Sequence, residues 1–287
     1  MKRFITPFFC LLLVLTLPGR VFAQQLVSGF RQGQGHSSVF LSYTRERYDE
    51  FYLGKTKTDI AMAGQEPVVT ESANLYAAYG LTDKLDLIAN LPYISSKSRQ
   101  LSDNQKILER DLQNATVALA YRALQTEGEA GVFSATGALA LSTPLSRYRT
   151  NIINAIGNRA TQLDPSLLLQ YKFVNGLFVN GQGGYSLRTN DVPDAVLLGA
   201  KVGYAAPRFF LESWVSNQTS TSGIDIGGPG FTPDRFPETK VNTTSLGASL
   251  YVPVVNHLGV TVGGGTRLAG RNAAAVSWYS AGLGLSL

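Results

Sequence analysis

The stretch ANLYAAYGLTDKLDLIANLPY, residues 73–93, decides the fold of this chain because two kinds of side chain alternate along it. Apolar side chains occupy every second position up to Tyr79, and the pattern resumes at Leu85 and continues to Tyr93. Such alternation is typical of a strand whose two faces meet different surroundings. Residues 80–84 include glycine, threonine and aspartate, which favour a turn. The stretch therefore predicts a β-hairpin with lipid on its apolar side and water on its polar or small side.

Ten further segments show the same alternation. The connections after every second strand are short, such as 174–176, whereas most of the others are long, such as 216–240. Outer-membrane barrels have an even number of strands, short periplasmic turns and longer outer loops. We therefore predict an all-β fold, a transmembrane antiparallel β-barrel of about twelve strands with both chain ends in the periplasm. The predicted strands are 38–48, 69–79, 85–93, 113–122, 132–143, 166–173, 177–188, 196–204, 209–215, 244–252, 258–268 and 276–287.

The alternative fold is a soluble β-sandwich, which also has alternating strands. A sandwich exposes many charges on its outer face, but only 16% of these residues are charged, against about 25% in soluble domains. The faces opposite the apolar ones carry mostly Ser, Thr, Asn, Gln, Gly and Ala. This composition favours the barrel, whose polar face lines a lumen.

Residues 1–23 have the pattern of a secretory signal peptide: a positively charged start, an apolar segment at 8–15 and a cleavage pattern at 21–23. A membrane anchor is the alternative, but the apolar run is shorter than the roughly 20 residues that a spanning helix needs. The single cysteine, Cys10, lies in this segment, so disulfides and thiolate metal sites are excluded from the mature chain. We predict export to the outer membrane, a periplasmic N-terminal lead at 24–37 and the barrel at 38–287.

The balance of charges excludes a nucleic-acid-binding function. Three of the 25 basic residues lie in the signal peptide, which leaves 22 basic against 20 acidic residues. A near-neutral chain has no electrostatic footprint for nucleic acid. The partners expected instead are outer-membrane lipid and a small-molecule solute.

The C-terminal residues resemble the assembly signal of outer-membrane barrels. That signal has a polar residue, a glycine two positions later, and hydrophobic or aromatic residues at the third-last and last positions. Ser280, Gly282, Leu285 and Leu287 match this spacing, although Leu287 stands where the signal usually has phenylalanine. The resemblance implies that residues 280–287 are a partner of the barrel assembly machinery.

The opening hairpin resembles a named family, the "MetA-pathway of phenol degradation" outer-membrane proteins. The sequences YGLTDKLDL (79–87) and LPY (91–93) are similar to its recurring motif, and segments 138–144 and 183–186 resemble its later strands. The resemblance covers most of residues 38–287. It implies a transporter or channel for small, often aromatic or hydrophobic, compounds, and it supplies no catalytic residues.

The sequence shows no constellation for catalysis or for cofactor and metal binding. A hydrolase would need a serine activated by a histidine, but the only histidines are His36 in the lead and His257 in a turn. The glycine runs at 227–230 and 263–265 are not followed by Lys-Ser/Thr or by a helix, so they are not phosphate-binding loops. We expect loop flexibility in the first run and small strand residues in the second, and we expect no enzyme activity and no cofactor.

Polar and charged residues at inward positions are the candidate site. A charge that faces lipid near the midplane costs about 2–4 kcal/mol for Arg or Lys, so inward placement is expected of any such barrel. Two interpretations stay open: a lining that selects solutes, or an internal network that holds the barrel shut. The candidate lumen-lining residues are Asn74, Asp86, Asn90, Arg122, Lys172, Arg188, Lys201, Glu212 and Arg267.

Two contacts follow from the predicted registers. If Tyr204 pairs with Phe209, Lys201 faces Glu212 and the two form an ion pair inside the barrel. By the corresponding register of the opening hairpin, which pairs Tyr79 with Leu85, Asn74 lies opposite Asn90. The function predicted is a passive channel for small molecules. The alternative is a closed structural or surface-binding barrel whose outer loops perform the recognition.

Overall fold

The computed structural model describes residues 27–287, and it confirms the twelve-stranded antiparallel barrel. The predicted signal peptide lies outside the described residues. Two short 3-10 helices, Ile60–Ala63 and Pro233–Glu238, lie in the connections. The strands are β1 (Ser37–Tyr48), β2 (Glu50–Leu53), β3 (Thr56–Asp59), β4 (Val68–Gly80), β5 (Leu85–Arg99), β6 (Lys106–Leu112), β7 (Asn114–Gly128), β8 (Gly131–Pro144), β9 (Gln162–Phe173), β10 (Leu177–Arg188), β11 (Ala195–Ala205), β12 (Phe210–Ser220), β13 (Asn242–Val255), β14 (Leu258–Arg271) and β15 (Ser277–Ser286).

The sheet closes because β1 pairs with β4 on one side and with β15 on the other. Strand β4 then pairs with β5, β5 with β7, and each later strand with the next as far as β15. Three strands lie outside this ring: β2 and β3 form a hairpin in the first outer connection, and β6 extends the outer part of β5. Among the described residues, no helix is both long enough and apolar enough to cross a membrane.

The structure extends several predicted strands. Strand β5 continues beyond Tyr93 to Arg99, because β4 pairs with it as far as Lys97 and β6 supplies a partner on the other side. Strand β7 continues to Gly128 after a register shift at 122–124, so the predicted turn 124–130 shrinks to residues 129–130. The alternation of short periplasmic turns and longer outer loops is retained.

Both predicted hairpin registers are wrong by two residues. Tyr79 pairs with Leu87 rather than Leu85, because the Thr82 hydroxyl accepts from the amides of Lys84 and Leu85 and keeps Leu85 at the turn. Likewise, Tyr204 pairs with Leu211 rather than Phe209, and the turn occupies 206–209. A slip of two preserves which face each side chain occupies. The corrected registers therefore leave each side chain of the two hairpins on its predicted inward or outward face.

Apolar side chains cover the outside of the barrel, and aromatic residues lie at both ends of this surface. Tyr43, Tyr93 and Tyr279 are exposed at the outer end. The periplasmic end carries the exposed side chains of Tyr79, Tyr121, Tyr204 and Phe209. Such aromatic girdles mark the two interfaces of the lipid region.

We predict that Val117→Arg lowers the free energy of unfolding by about 2–4 kcal/mol, because Val117 faces lipid between the two girdles. The control is Val174→Arg in a periplasmic turn, where the cost is about 0–1 kcal/mol. Equilibrium unfolding in denaturant, with the protein in lipid vesicles, measures both. Equal losses from the two variants would contradict the assigned membrane face.

Candidate functional site

The N-terminal segment 27–34, which we call the plug, lies inside the periplasmic end of the lumen. The predicted lead enters the barrel here, and Val27, Arg31 and Gln32 are buried. The Phe30 ring packs edge-on against Phe178 and Phe210, with ring centroids 5.1 Å and 5.8 Å away. These aromatic contacts place the plug within the apolar cluster that fills this end of the lumen.

An ion pair attaches the plug to the barrel wall. Nη1 of Arg31 lies 3.3 Å from Oδ2 of Asp86, and both side chains are at most 3% exposed. The Gln32 amide also donates to the Asp86 carboxylate, and Arg31 donates to the Ala120 carbonyl at 3.1 Å. A buried carboxylate needs such partners, because removing one leaves an uncompensated charge. Asp86, a candidate from the sequence, is thus a contact of the plug.

Small residues make room for the plug. Ala78, Ala118 and Ala120 point inward beside it and are buried. A side chain at Gly80 would collide with the backbone of Gly33, so only glycine permits this close approach. The sequence around the plug therefore fits a chain segment inside the barrel.

Above the plug lies an open chamber of about 630 Å³. One of its walls is aromatic: Trp214 and Trp278 stack with ring centroids 6.0 Å apart and planes 19° from parallel. Phe40 and Tyr76 line its lower part. The chamber thus offers a flat aromatic surface to a solute.

Glycines on neighbouring strands let these rings lie against the wall. A side chain at Gly247 would collide with the Trp214 ring, and one at Gly265 would collide with Trp278. Each of these glycines is the direct cross-strand partner of its tryptophan. Of the small residues expected at 263–265, Gly265 therefore makes room for the Trp278 ring, which the sequence did not reveal. The same arrangement occurs for Phe40 with Gly284 and for Phe178 with Gly203.

The other wall of the chamber is polar. Nδ2 of Asn74 donates to Oδ1 of Asn90 at 2.9 Å, and the Thr116 hydroxyl donates to Ser142 at 3.0 Å. Asn74 faces Asn90 diagonally, since the backbone partner of Asn74 is Pro92. The two asparagines meet as predicted, although through a different register. Further polar residues lie around the whole lining, also on the strands next to the tryptophans. The polar lining residues are Ser42, Thr44, Glu46, Ser72, Asn74, Asn90, Gln113, Thr116, Ser142, Gln162, Asp164, Ser249, Thr261 and Ser280.

Lys201 and Glu212 form the predicted ion pair. Nζ of Lys201 lies 2.9 Å from Oε2 of Glu212, and their side chains are 7% and 1% exposed. Ser249 donates to the other carboxylate oxygen at 3.3 Å. The pair is diagonal rather than directly cross-strand, because Lys201 pairs with Trp214 and Glu212 with Gly203. Long side chains span this diagonal.

The remaining candidates lie near the ends of the lumen. Arg122 donates to the Asp83 carbonyl at 2.8 Å at the periplasmic rim, and Nζ of Lys172 lies 5.9 Å from the centre of the Phe30 ring. At the outer end, Arg188 donates to Ser186 and Gln218, and Arg267 donates to the Ala274 carbonyl at 2.7 Å. The structure therefore distributes these four residues between the two rims and does not bring them together.

The long outer loop 145–161 folds over the chamber from outside. Tyr148 is 2% exposed, and its hydroxyl donates to Oδ1 of Asn114 at 3.0 Å. Asn154 donates to the Ser96 carbonyl at 3.3 Å. The hydroxyl of Tyr48 on β1 also donates to this loop, at the Ile153 carbonyl. The loop thus narrows the outer entrance.

Asn272 joins the other outer segments. Its side chain accepts from the amides of Gly54 and Ile226 and donates to the Lys240 carbonyl at 2.9 Å. Beside it, hydrogen bonds lower the pKa of the Asp225 carboxyl to about 2. The bond from the Arg271 guanidinium has the larger effect and that from the Asn272 amide the smaller. Asp225 therefore stays ionised above that pH and ties the loop 221–241 to β14.

Solved structures with the same fold are outer-membrane proteins. The COG4313 outer membrane channel from Pseudomonas putida F1 matches with a TM-score of 0.65 at 16% identity, over 92% of this chain and all of that one. The KdgM porin matches with a TM-score of 0.51 at 10% identity, over 86% of this chain and 99% of that one. At these identities the similarity establishes the fold, that of an outer-membrane barrel. No protein-family model matches the sequence, and no curated protein matches it significantly.

Within residues 27–287, no group of three or more His, Cys, Asp and Glu side chains is placed to hold a metal ion. Both histidines lie at the periplasmic rim. The His36 carbonyl accepts from the Gly80 amide and the His257 carbonyl accepts from the Ser286 amide. The described side chains of the lumen interact through aromatic stacking, hydrogen bonds and ion pairs.

The sequence did not single out the plug or the aromatic wall. Phe30 and Arg31 lie in a lead rich in glycine and glutamine. The available signal was that one aromatic and one charged side chain interrupt this otherwise small and polar segment. Trp214 and Trp278 occupy inward positions of their strands. The available signal was a large aromatic side chain on a face that otherwise carries small or polar residues.

We predict that Lys201→Met or Glu212→Leu alone destabilises the barrel by about 3–5 kcal/mol, because each leaves a buried charge without its partner. The double variant should cost less than either single change, since neither charge remains. Unfolding curves of the three variants measure this. A double variant as unstable as the sum of the singles would contradict the pairing.

We predict that Gly265→Val displaces Trp278 from its stack with Trp214 and destabilises the barrel by about 1–3 kcal/mol. Circular dichroism of the coupled indole transitions should weaken. Gly137→Val is the control, because a side chain there meets nothing within 4 Å. An unchanged spectrum in the folded Gly265 variant would argue against the stack.

Proposed function

We propose that this protein is a passive outer-membrane channel for small molecules, with a binding chamber midway along its lumen. One observation carries the proposal: the chamber of about 630 Å³ between an aromatic and a polar wall. Small-molecule sites typically enclose ~300–1,000 Å³ and combine apolar surface with a few polar groups. A barrel closed only for stability has no need of such a space.

The two walls define the class of solute. The flat tryptophan pair favours an aromatic or other apolar surface, and the amide and hydroxyl groups opposite favour hydrogen-bonding substituents. A small aromatic compound with hydroxyl or similar groups satisfies both. This class agrees with that implied by the sequence resemblance to the "MetA-pathway of phenol degradation" outer-membrane proteins.

The plug makes passage conditional. From the packing of Phe30 on Phe178 and Phe210 we infer that the plug closes the lumen below the chamber. A solute that enters from outside therefore reaches the periplasm only when the plug shifts. The Arg31–Asp86 ion pair is one of the contacts that oppose this movement, together with the packing of Phe30.

The second candidate is a closed barrel that serves as a structural or surface-binding protein. The apolar cluster at the periplasmic end favours it, because buried residues of the plug and of the inner wall pack together there. In that case recognition would lie in the outer loops, which Asn272 and Asp225 hold in one arrangement.

We predict that Asp86→Asn increases the open fraction of the channel at least tenfold, since loss of a charged hydrogen bond costs about 1.5–3 kcal/mol and ~1.4 kcal/mol corresponds to a factor of ten. Deletion of residues 27–34 should open it further. The measurement is single-channel current of the full chain in planar lipid bilayers. Asp103→Asn, in the exposed turn between β5 and β6, is the charge-matched control.

The result separates the two candidates. Stepwise currents in the wild type that increase in the Asp86 variant support the gated channel. Silence in the wild type and also in the folded deletion variant overturns the channel and supports the closed barrel. Block of the current by a small phenol, relieved by Trp214→Leu, would assign the solute class to the chamber.

A further inference from the structure

A group of cations faces outward at the outer end of one side of the barrel. On β1, β5 and β6, the outward positions beyond the upper aromatic girdle carry six basic residues. We call this surface the outer basic face. It consists of Arg45, Arg47, Lys97, Arg99, Lys106 and Arg110.

The strand registers place these residues side by side. One row across the strands runs from Tyr279 through Arg45, Glu71 and Ser95 to Arg110. The next row outward contains Arg47 and Lys97, and beyond it Arg99 pairs with Lys106. The cations therefore form a continuous patch.

A carboxylate within the patch positions two of the cations. Oε1 of Glu71 lies 2.7 Å from Nη1 of Arg45, and its Oε2 lies 3.0 Å from Nζ of Lys97. The Tyr43 hydroxyl donates to Glu71 at 3.0 Å, which links the patch to the girdle. Among the described residues of this face, the one other acidic residue is Glu66, whose Oε2 lies 3.7 Å from Nε of Arg99. The face therefore carries a clear excess of positive charge, even with Asp103 in the adjacent turn.

The patch belongs to one side of the barrel. Outward residues at the outer ends of the other strands are uncharged except for Arg271 on β14, which is neutralised by its ion pair with Asp225. The uncharged ones are Thr143, Leu163, Leu187, Val196, Thr219, Thr244, Leu268 and Ser277. A uniform ring of charge would reflect only the end of the lipid region. Six cations within four neighbouring strands, β1, β4, β5 and β6, point instead to a localised anionic partner.

We propose that the outer basic face binds the phosphorylated sugar headgroup of an outer-leaflet glycolipid. Arginine and lysine groups bind phosphate through charge-assisted hydrogen bonds. The face lies directly above Tyr43, Tyr93 and Tyr279, which mark the lipid interface. Below them, Leu41, Leu75 and other apolar residues of the same strands face the acyl chains. A lipid contacts both surfaces at once, whereas a free phosphate ion contacts only the first.

The test compares two forms of one lipid. The full chain, purified in detergent, is titrated with diphosphorylated lipid A and with the same lipid after removal of both phosphates, and bound lipid is counted by native mass spectrometry. The affinity of the wild type for the phosphorylated form should be at least about tenfold higher, since each basic residue adds to the attraction of an anionic headgroup. High salt should reduce the difference.

Charge-removing variants locate the site. The triple variant Arg47→Gln, Lys97→Gln and Arg110→Gln should lose most of this preference. The control triple Lys55→Gln, Lys84→Gln and Arg208→Gln removes the same charge from exposed positions elsewhere and should keep it. Heat-dependent mobility on gels verifies that each variant is folded.

Equal binding of both lipid forms by the wild type overturns the proposal, and this comparison needs no variant. So does a folded triple variant that retains the preference. Displacement of the lipid by inorganic phosphate, beyond that caused by sodium chloride of equal ionic strength, would indicate a site for free anions and would also overturn it. None of these outcomes depends on whether the barrel conducts solutes.

Discussion

The whole architecture depends on one constraint: every backbone amide and carbonyl that faces lipid needs a hydrogen-bond partner within the chain. The pairing of β1 with β15 satisfies it, because this last ladder leaves no open edge in the ring of twelve strands. Closure then fixes the strict inward and outward alternation. Apolar residues such as Leu41 and Val117 face lipid, and polar residues such as Asn74 and Glu212 face the lumen.

Closure also creates an interior that must be filled, and the chain fills its two halves differently. The periplasmic half receives the plug, with Phe30 among aromatic rings and Arg31 against Asp86. The middle keeps a chamber, because Trp214 and Trp278 lie flat over glycines rather than projecting across it. The packed plug in the periplasmic half and the open chamber in the middle together define a compartment above the plug.

The sequence was sufficient for the fold because alternation depends only on neighbours along the chain. It assigned the correct face to Leu75 and Tyr79 and to Lys201 and Glu212, even though both hairpin registers were wrong by two residues. Register depends on turn geometry, such as the Thr82 hydroxyl bonds that no hydrophobic pattern encodes. The site was less predictable, because the plug contacts Asp86 across 55 residues of sequence and each tryptophan meets its glycine only after the strands have paired. The sequence placed the lumen candidates Arg188 and Arg267 on the inward face, but it did not predict that both lie near the outer end of the barrel.

The pairing of large rings with glycines separates the width of the lumen from the number of strands. In a closed barrel the strand number and stagger set the diameter of the backbone cylinder, and that diameter changes only in large steps. Here the free space depends instead on how deeply an aromatic side chain recesses into the wall beside residues such as Gly247 and Gly265. Exchange of single residues can therefore reshape the compartment in small increments while the hydrogen-bonded cylinder stays the same.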